Sequence, residues 1–370
     1  MIEHLYLHIP YCHKICPYCS FYKHGFDTAS PAALVDSMIA ELCSYPKEQF
    51  DLKTIYLGGG TPTALTTPLL ELLLDSIHSN LELSKLVEFG IEINPRTLNK
   101  EKALMLKNKG ITRASLGVQS WDPAILKTLG RDHSPAEAIQ TYQLLRDTDF
   151  QNISIDLMFS IPGQTIQSWE STLQQSIQLA PQHISAYNLN YEEDTPFMLQ
   201  LNQGIHQLDE DRDATFFHLA HDLLEAAGYH SYEISNYAQP NFESNHNQAY
   251  WQGKDYLGIG PSAVSTVNQQ RWQNINDTAA YILHSTNPDL RRTEIESLTA
   301  SALRTERFGI ALRTREGLPL HQIYPQEQKI LQALIHDQLI IQKSQNIILT
   351  QLGKPLVDSI AVALLGDHCI

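Results

Sequence analysis

Three of the chain's five cysteines, Cys12, Cys16 and Cys19, are spaced C-x3-C-x2-C close to the N-terminus. Pro10 and Pro17 each remove a backbone donor and restrict the preceding residue, so this stretch folds as a tight loop rather than a helix. Three thiolates on one loop suit a soft metal centre, and they leave a four-site centre one ligand short. Two chemistries fit. A four-iron cubane held by three cysteines leaves one iron open to an exogenous chelator. A structural zinc needs a fourth ligand, and His8, His13 and His24 are near in sequence.

The remaining chemistry-bearing residues fall at regular intervals. Gly58-Gly59-Gly60-Thr61-Pro62 offers backbone bare of side chains and able to take positive φ, as a ligand cradle or a plain flexible turn requires. Glu92, in Ile91-Glu92-Ile93-Asn94-Pro95, is a carboxylate within an apolar run. Either it faces solvent or it is buried with a partner, because an unpaired buried charge is costly. Gln119 closes Gly117-Val118-Gln119, Arg131 follows Leu129-Gly130, and Asp156 stands alone in Ile155-Asp156-Leu157. Further on, His246-Asn247-Gln248-Ala249-Tyr250-Trp251 combines an imidazole able to bind heme iron with rings able to cover a porphyrin face. The bland alternative is a packed interface between domains.

The elements that must position these residues alternate. Strand patterns at residues 4–9, 53–57, 88–94, 112–118, 153–158 and 183–190 interleave with helical patterns at 31–45, 68–80, 100–109, 134–147 and 165–179. Ser30-Pro31, Thr67-Pro68 and Ser134-Pro135 are good helix starts. Six strands with five crossover helices predict a parallel α/β sheet, curled into a partial barrel two units short of eight, with chemistry where strands end. Each motif above lies in or just after a strand. The polar stretch 192–206, with Pro196 and Gly204, marks the end of this unit.

Residues 209–228 read as an amphipathic helix, and 256–263 as a glycine-rich bend against the barrel mouth. Beyond residue 297 a small helical module follows, with a helix at 330–337 and a two-stranded wing at 339–341 and 346–349. The expected units are 1–195, 196–296 and 297–370.

Composition narrows the partners. The chain has 370 residues, 42% of them hydrophobic, and a formal charge of -15. That balance argues against a nucleic-acid-binding face, including for the winged module, which is assigned a packing or partner role. No apolar run approaches the roughly 18 residues of a membrane span, and no secretory layout opens the chain, so a cytoplasmic location is expected. Cys43 reads as a plain helix-face thiol and Cys369 as a tail residue, which does not make a disulfide framework.

Cys-x3-Cys-x-Tyr18-Cys after a first strand resembles the radical S-adenosylmethionine (SAM) superfamily. The order of the later motifs is similar to the oxygen-independent coproporphyrinogen III oxidases and their relatives, the HemW-type heme chaperones. The resemblance runs from Tyr6 to about Leu352. It implies a [4Fe-4S] cluster on Cys12, Cys16 and Cys19, SAM chelating the open iron, and an electron passed to the sulfonium to give a deoxyadenosyl radical. It also implies that Tyr6, Tyr18, Gly60, Thr61, Pro62, Glu92, Gln119, Arg131 and Asp156 face SAM, and that Val264 packs on the adenine. His246, Tyr250 and Trp251 would contact heme. The implied architecture is a partial (β/α)6 radical SAM barrel, a smaller α+β region and a winged-helix-like module.

Two functions follow from the resemblance. One is heme binding with transfer to an acceptor protein, served by an electron donor. The other is oxidative decarboxylation of coproporphyrinogen III. The oxidase type has an extension ahead of the cluster strand and a fourth cysteine where this chain has Phe21, and both differences favour the chaperone. A zinc-stabilised binding module without redox chemistry is the third possibility, and it leaves the glycine-rich strand end and the acidic strand tips without a purpose.

Overall fold

The computed structural model describes residues 1–366; Cys369 lies outside them. Six parallel strands form its centre: β1 (Ile2–Ile9), β2 (Phe50–Gly59), β3 (Glu88–Ile93), β4 (Arg113–Gln119), β5 (Asn152–Phe159) and β6 (His183–Asn188). Crossover helices α1 (Pro31–Cys43), α2 (Thr67–Asn80), α3 (Lys100–Asn108), a short α4 (Pro123–Thr128) with α5 (Pro135–Asp147), and α6 (Ile166–Gln178) join them in order. Ser30 and Ser134 cap as expected, whereas Thr67 is itself the first residue of α2 and the N-cap there, Thr66, makes no side-chain bond. Ser134 and Glu137 form a reciprocal capping box, and Thr165 Oγ1 accepts from the Ser168 amide.

Alternation along the strands decides what the barrel is for. Leu5, Leu7, Ile55, Leu57, Ile91, Leu116, Ile155 and Ile184 are buried against the helices. The opposite positions are His4 and Tyr6, Thr54 and Tyr56, Glu88 and Glu92, Arg113 and Ser115, Ser154 and Asp156, His183 and Ser185. A period of two thus separates an oily outer layer from a polar interior. The interior is a ligand chamber rather than a core.

The sheet does not stop at six strands. After helices α7 (Pro196–Asn202) and α8 (Glu210–Ala226), β7 (His230–Ser231) and β8 (Asn236–Ala238) extend it beyond β6, antiparallel. β9 (Tyr256–Ile259) pairs parallel with the free edge of β1, followed by β10 (Val264–Val267), β11 (Gln270–Asn274) and β12 (Arg292–Ser297). The described residues thus form a 12-stranded sheet. The expected bend at 256–263 is instead a strand and turn beside β1. Its glycines are there for close approach: a Cβ at Gly258 would lie 2.3 Å from the Val264 carbonyl oxygen, and one at Gly260 (φ +103°) 2.5 Å from that of His8.

One hydrophobic cluster runs from Ile2 to Tyr281 with no break near residue 195. A second gathers residues between Phe308 and Leu364. In that unit β14 (Ile340–Lys343) and β15 (Asn346–Leu349) form the expected hairpin, joined at the edge by the two-residue β13 (Leu318–Pro319).

A buried ion pair locks α1 to the β9–β11 region. Arg291 Nε lies 3.0 Å from Glu41 Oε1, both side chains 0% exposed, although the N–H is not aligned as a hydrogen bond. Glu41 also accepts from the Gly260 amide at 3.0 Å, Asn274 Nδ2 at 2.9 Å and the Tyr281 hydroxyl. Burial pushes its carboxyl up, against the pull of Arg291 and these donors. Removing one member strands the other, so Arg291→Ala should lower unfolding free energy by about 3–5 kcal/mol. Urea denaturation checks this; a loss under about 1 kcal/mol, as at a surface pair, would refute it.

Candidate cluster and cofactor site

The cysteine loop springs from the end of β1 and is clamped on both sides. The Cys12 amide donates to the His24 carbonyl at 3.0 Å and His24 N–H to the Pro10 carbonyl at 2.9 Å, closing the loop on itself. Gly60 N–H donates to the Ile9 carbonyl at 2.9 Å and Thr61 N–H to that of Tyr11 at 2.8 Å, tying the loop to the end of β2. The approach is so close that a Cβ at Gly60 would sit 2.7 Å from the Pro10 carbonyl carbon.

Cys12 Sγ is 3.7 Å from Thr61 Oγ1, and Cys16 Sγ is 3.7 Å from Arg131 Nη1. Burial pushes the Cys12 thiol up to about 11 and the Cys19 thiol up as well. Burial thus favours the thiol form here unless a nearby cation offsets it. Of the histidines that a closed zinc site would recruit, His8 and His24 are hydrogen-bonded elsewhere, while His13 lies on the wall of the adjoining cavity. His8 bonds the Tyr6 hydroxyl at 3.0 Å and the Tyr22 carbonyl at 2.8 Å, His24 bonds the Gly25 carbonyl and Thr278 Oγ1 at 2.7 Å each, and His13 stacks on Phe26. Among the described residues no three His, Cys, Asp or Glu side chains converge on a single-ion site.

A cavity of about 450 Å³ opens beside the loop at the carboxyl ends of the strands. Cys12, Cys16, Cys19, Tyr18, Gly60, Thr61, Glu92, Gln119, Arg131 and Asp156 all line it. Glu92 is enclosed, with Oε2 accepting from the Gly59 amide at 3.2 Å. Burial, then the Asp156 charge, pushes its carboxyl up to about 8. Asp156 accepts from the hydroxyls of Ser115, Ser154 and Ser185 at 2.7, 3.1 and 2.8 Å. Burial still holds it above the usual range, so desolvation outweighs three hydrogen bonds. Arg131 donates to the Gly117 carbonyl at 2.9 Å, while its Nε is buried without a partner among the described residues. Gln119, at φ 67°, is a non-glycine residue in the left-handed region, a strain found typically at ligand sites.

Three residues expected to face SAM are not among those lining this cavity. Tyr6 bonds His8 and lies near Glu92. Pro62 begins the buried turn Pro62–Ala64 under the wall. Val264 opens β10 on the flank of the sheet, where its carbonyl crowds Gly258.

The His246 motif forms helix α9 (Asn245–Trp251) across the opposite, amino-terminal end of the barrel. Glu88 Oε1 at the start of β3 accepts from the Ser244 hydroxyl and the His246 amide at 2.9 and 3.1 Å. His246 Nδ1 bonds Thr54 Oγ1 at 2.7 Å, and its ring stacks on Tyr56 at 5.3 Å and meets Tyr250 edge-on at 5.0 Å. The imidazole is 3% exposed and burial pushes it down to about 3. It faces neither this cavity nor the smaller one behind α9, which Trp251 lines. His246 and Tyr250 thus serve as barrel floor here, and heme iron reaches His246 only if α9 shifts.

A model of the Radical SAM superfamily matches residues 6–175. The heme chaperone HemW of Lactococcus lactis subsp. lactis is 33% identical over 374 residues, covering 98% of this chain and 97% of that protein. HemW of Bacillus subtilis is 32% identical over 377 residues, covering 98% and 99%. The chain belongs to the HemW family. The fold agrees: coproporphyrinogen III oxidase HemN of Escherichia coli, a radical SAM enzyme at 22% identity, superposes with a TM-score of 0.82 over 98% of this chain and 90% of that one.

Within this HemW-family site several residues escaped the sequence reading. Tyr56, Ser115 and Tyr187 line the cavity, and Ser154 and Ser185 hold Asp156. The polar alternation of Thr54-Ile55-Tyr56 and His183-Ile184-Ser185-Ala186-Tyr187 is the signal that would have found them.

Glu92 gives a sign that can be checked. Its carboxyl is raised in the fold, so its favourable contribution is complete below about pH 4.5, the ordinary carboxyl value, and is lost as pH rises through about 8. Cofactor-free protein should lose stability across that window, and Glu92→Gln should flatten the slope and gain up to about 3 kcal/mol at pH 7. Urea titrations at pH 5 and 8 decide it; equal slopes for the two proteins would refute the assignment.

Proposed function

We propose that this chain is a radical SAM heme chaperone: it carries a [4Fe-4S] cluster on Cys12, Cys16 and Cys19, binds SAM in the adjoining cavity, and holds heme for transfer to an acceptor protein. What supports the reading most is similarity to curated heme chaperones along nearly the full length of both chains. The donor set suits the cluster, with three thiols on one clamped loop and two of the three nearby histidines, His8 and His24, hydrogen-bonded elsewhere. When bound, the cluster and SAM supply one-electron reduction of a sulfonium.

The chain's own residues divide the remaining work. Gly58 to Thr61 leave room for a ligand against the end of β2. Glu92, whose raised carboxyl ionises readily beside a cation, is suited to a ligand ammonium, and Arg131 to a carboxylate. The helices around the barrel keep water from its interior. An electron donor is required to reduce the cluster. Among the described residues no helix is long and apolar enough to cross a membrane.

The oxidase alternative draws on the shared fold alone. Phe21, 65% exposed on the cavity lip, stands where the oxidase type carries another cysteine. Anaerobically reconstituted protein should show a four-iron, four-sulfur spectrum and bind heme, and should not convert coproporphyrinogen III to protoporphyrinogen IX. Replacing Cys16 by Ala should abolish the cluster spectrum. Robust turnover of coproporphyrinogen III would overturn the chaperone reading.

A further inference from the structure

Lys102 stands in the first turn of α3, in the charged run Lys100-Glu101-Lys102 that by composition belongs on a solvated face. The fold buries it instead. Only 7% of the residue is exposed, and its ammonium donates to three backbone carbonyls: Thr63 at 2.6 Å, Leu65 at 2.7 Å and Thr97 at 3.1 Å. An ammonium has three donors, so its capacity is used in full. Burial pulls the amine down, and no carboxylate opposes that pull. A buried cation held by carbonyls alone is a costly way to fill space, and Ala103 and Leu106 already give the helix its apolar face.

The three carbonyls belong to two different strand ends. Thr63 and Leu65 lie in and just after the turn Pro62–Ala64 that follows β2, and Thr97 closes the turn Pro95–Thr97 that follows β3. A hydroxyl bond of 2.6 Å between Thr63 Oγ1 and Thr97 Oγ1 joins the same two turns. Gly60, Thr61, Asn94 and Thr97 of these segments line the cavity beside the cysteine loop, whereas Lys102 does not. The connection continues to the loop itself. The Ala64 amide donates to the Thr61 carbonyl at 2.9 Å, the Thr61 amide donates to that of Tyr11 at 2.8 Å, and Thr61 Oγ1 is 3.7 Å from Cys12 Sγ.

We infer that Lys102 is a positioning residue for the SAM site: from behind the wall it sets the spacing between the ends of β2 and β3, and with it the placement of Gly60 and Thr61 against a bound ligand. The inference rests on the SAM reading proposed above. An apolar side chain could fill the same volume, but only a compact charge with rotatable donors holds three carbonyls at one point. A wall displaced by about 1 Å is enough to spoil the fit of a ligand site.

Wild type, Lys102→Met, Lys102→Arg and Leu106→Ala, all full-length, are compared for cluster content after anaerobic reconstitution, SAM affinity by equilibrium dialysis, melting temperature, and hydrogen exchange without the cluster. Lys102→Met keeps the stem and loses the charge. It should retain the cluster, bind SAM about tenfold or more weakly, and exchange faster at the amides of Thr61, Ala64 and Leu65. Lys102→Arg, which keeps a charge and donors, should recover part of the affinity. Leu106→Ala truncates the core of the same helix, and should lower the melting temperature while SAM affinity stays within about twofold of wild type. Unchanged SAM affinity in Lys102→Met overturns the inference. So does a loss of affinity that follows melting temperature equally in Lys102→Met and Leu106→Ala, because Lys102 is then an ordinary stabilising contact. Wild type that holds the cluster and binds no SAM overturns the SAM chemistry proposed above together with this inference. If Lys102→Met yields no folded protein, Thr63→Val carries the test. It removes the hydroxyl bond between the two turns and should weaken SAM severalfold with the cluster intact; unchanged affinity overturns the inference.

Discussion

The structure depends on two carboxylates, Glu92 and Asp156, placed inside the barrel. Each is part-buried on the cavity wall, where an ionised group without partners is costly. The surroundings go part of the way to offset this, with three serine hydroxyls on Asp156 and one amide on Glu92. Burial still prevails at both, and each carboxyl remains above its usual range. Burial thus favours the neutral form of both carboxyls, and a nearby cation would favour ionisation. Other inward positions, Thr54, Tyr56, Ser115, Ser154 and Ser185 among them, are polar, while Met158, Gly58, Gly90 and Gly117 are not.

That constraint explains how the rest of the chain is laid out. A barrel with a polar interior cannot draw its stability from the inside, so stability comes from the oily layer between strands and helices and from closing both ends. The carboxyl end is shut by the cysteine loop, pinned to β2 through Gly60 and Thr61. The amino end is shut by α9, whose His246 stacks on the inward-facing Tyr56. Both free edges of the six-stranded unit are covered, β1 by β9 and β6 by β8, which leaves no bare edge next to the site.

The same chemistry reads differently by location. His246 and Trp251 are neighbours in one motif, and both were expected to meet heme. The helix turns one into the floor, beneath Tyr56, and the other outward to the crevice beneath the C-terminal unit. A motif that is continuous in sequence is therefore two separate surfaces, with His246 against Tyr56 and Trp251 on the smaller cavity.

By itself the sequence determined the six-strand alternation, the strand ends where Gly60, Glu92, Gln119 and Asp156 fall, and the trio of cysteines, because period-two patterning, glycine-rich turns and thiol spacing are local signals. Tertiary structure decided what depends on residues far apart in the chain. β9 was hidden by glycines whose purpose is contact with His8 and Val264. The fourth-ligand histidines were near in sequence, and hydrogen bonds to Tyr6, Tyr22 and Thr278 took His8 and His24 away. Local pattern fixes which face of an element is buried, and only packing fixes what that face meets.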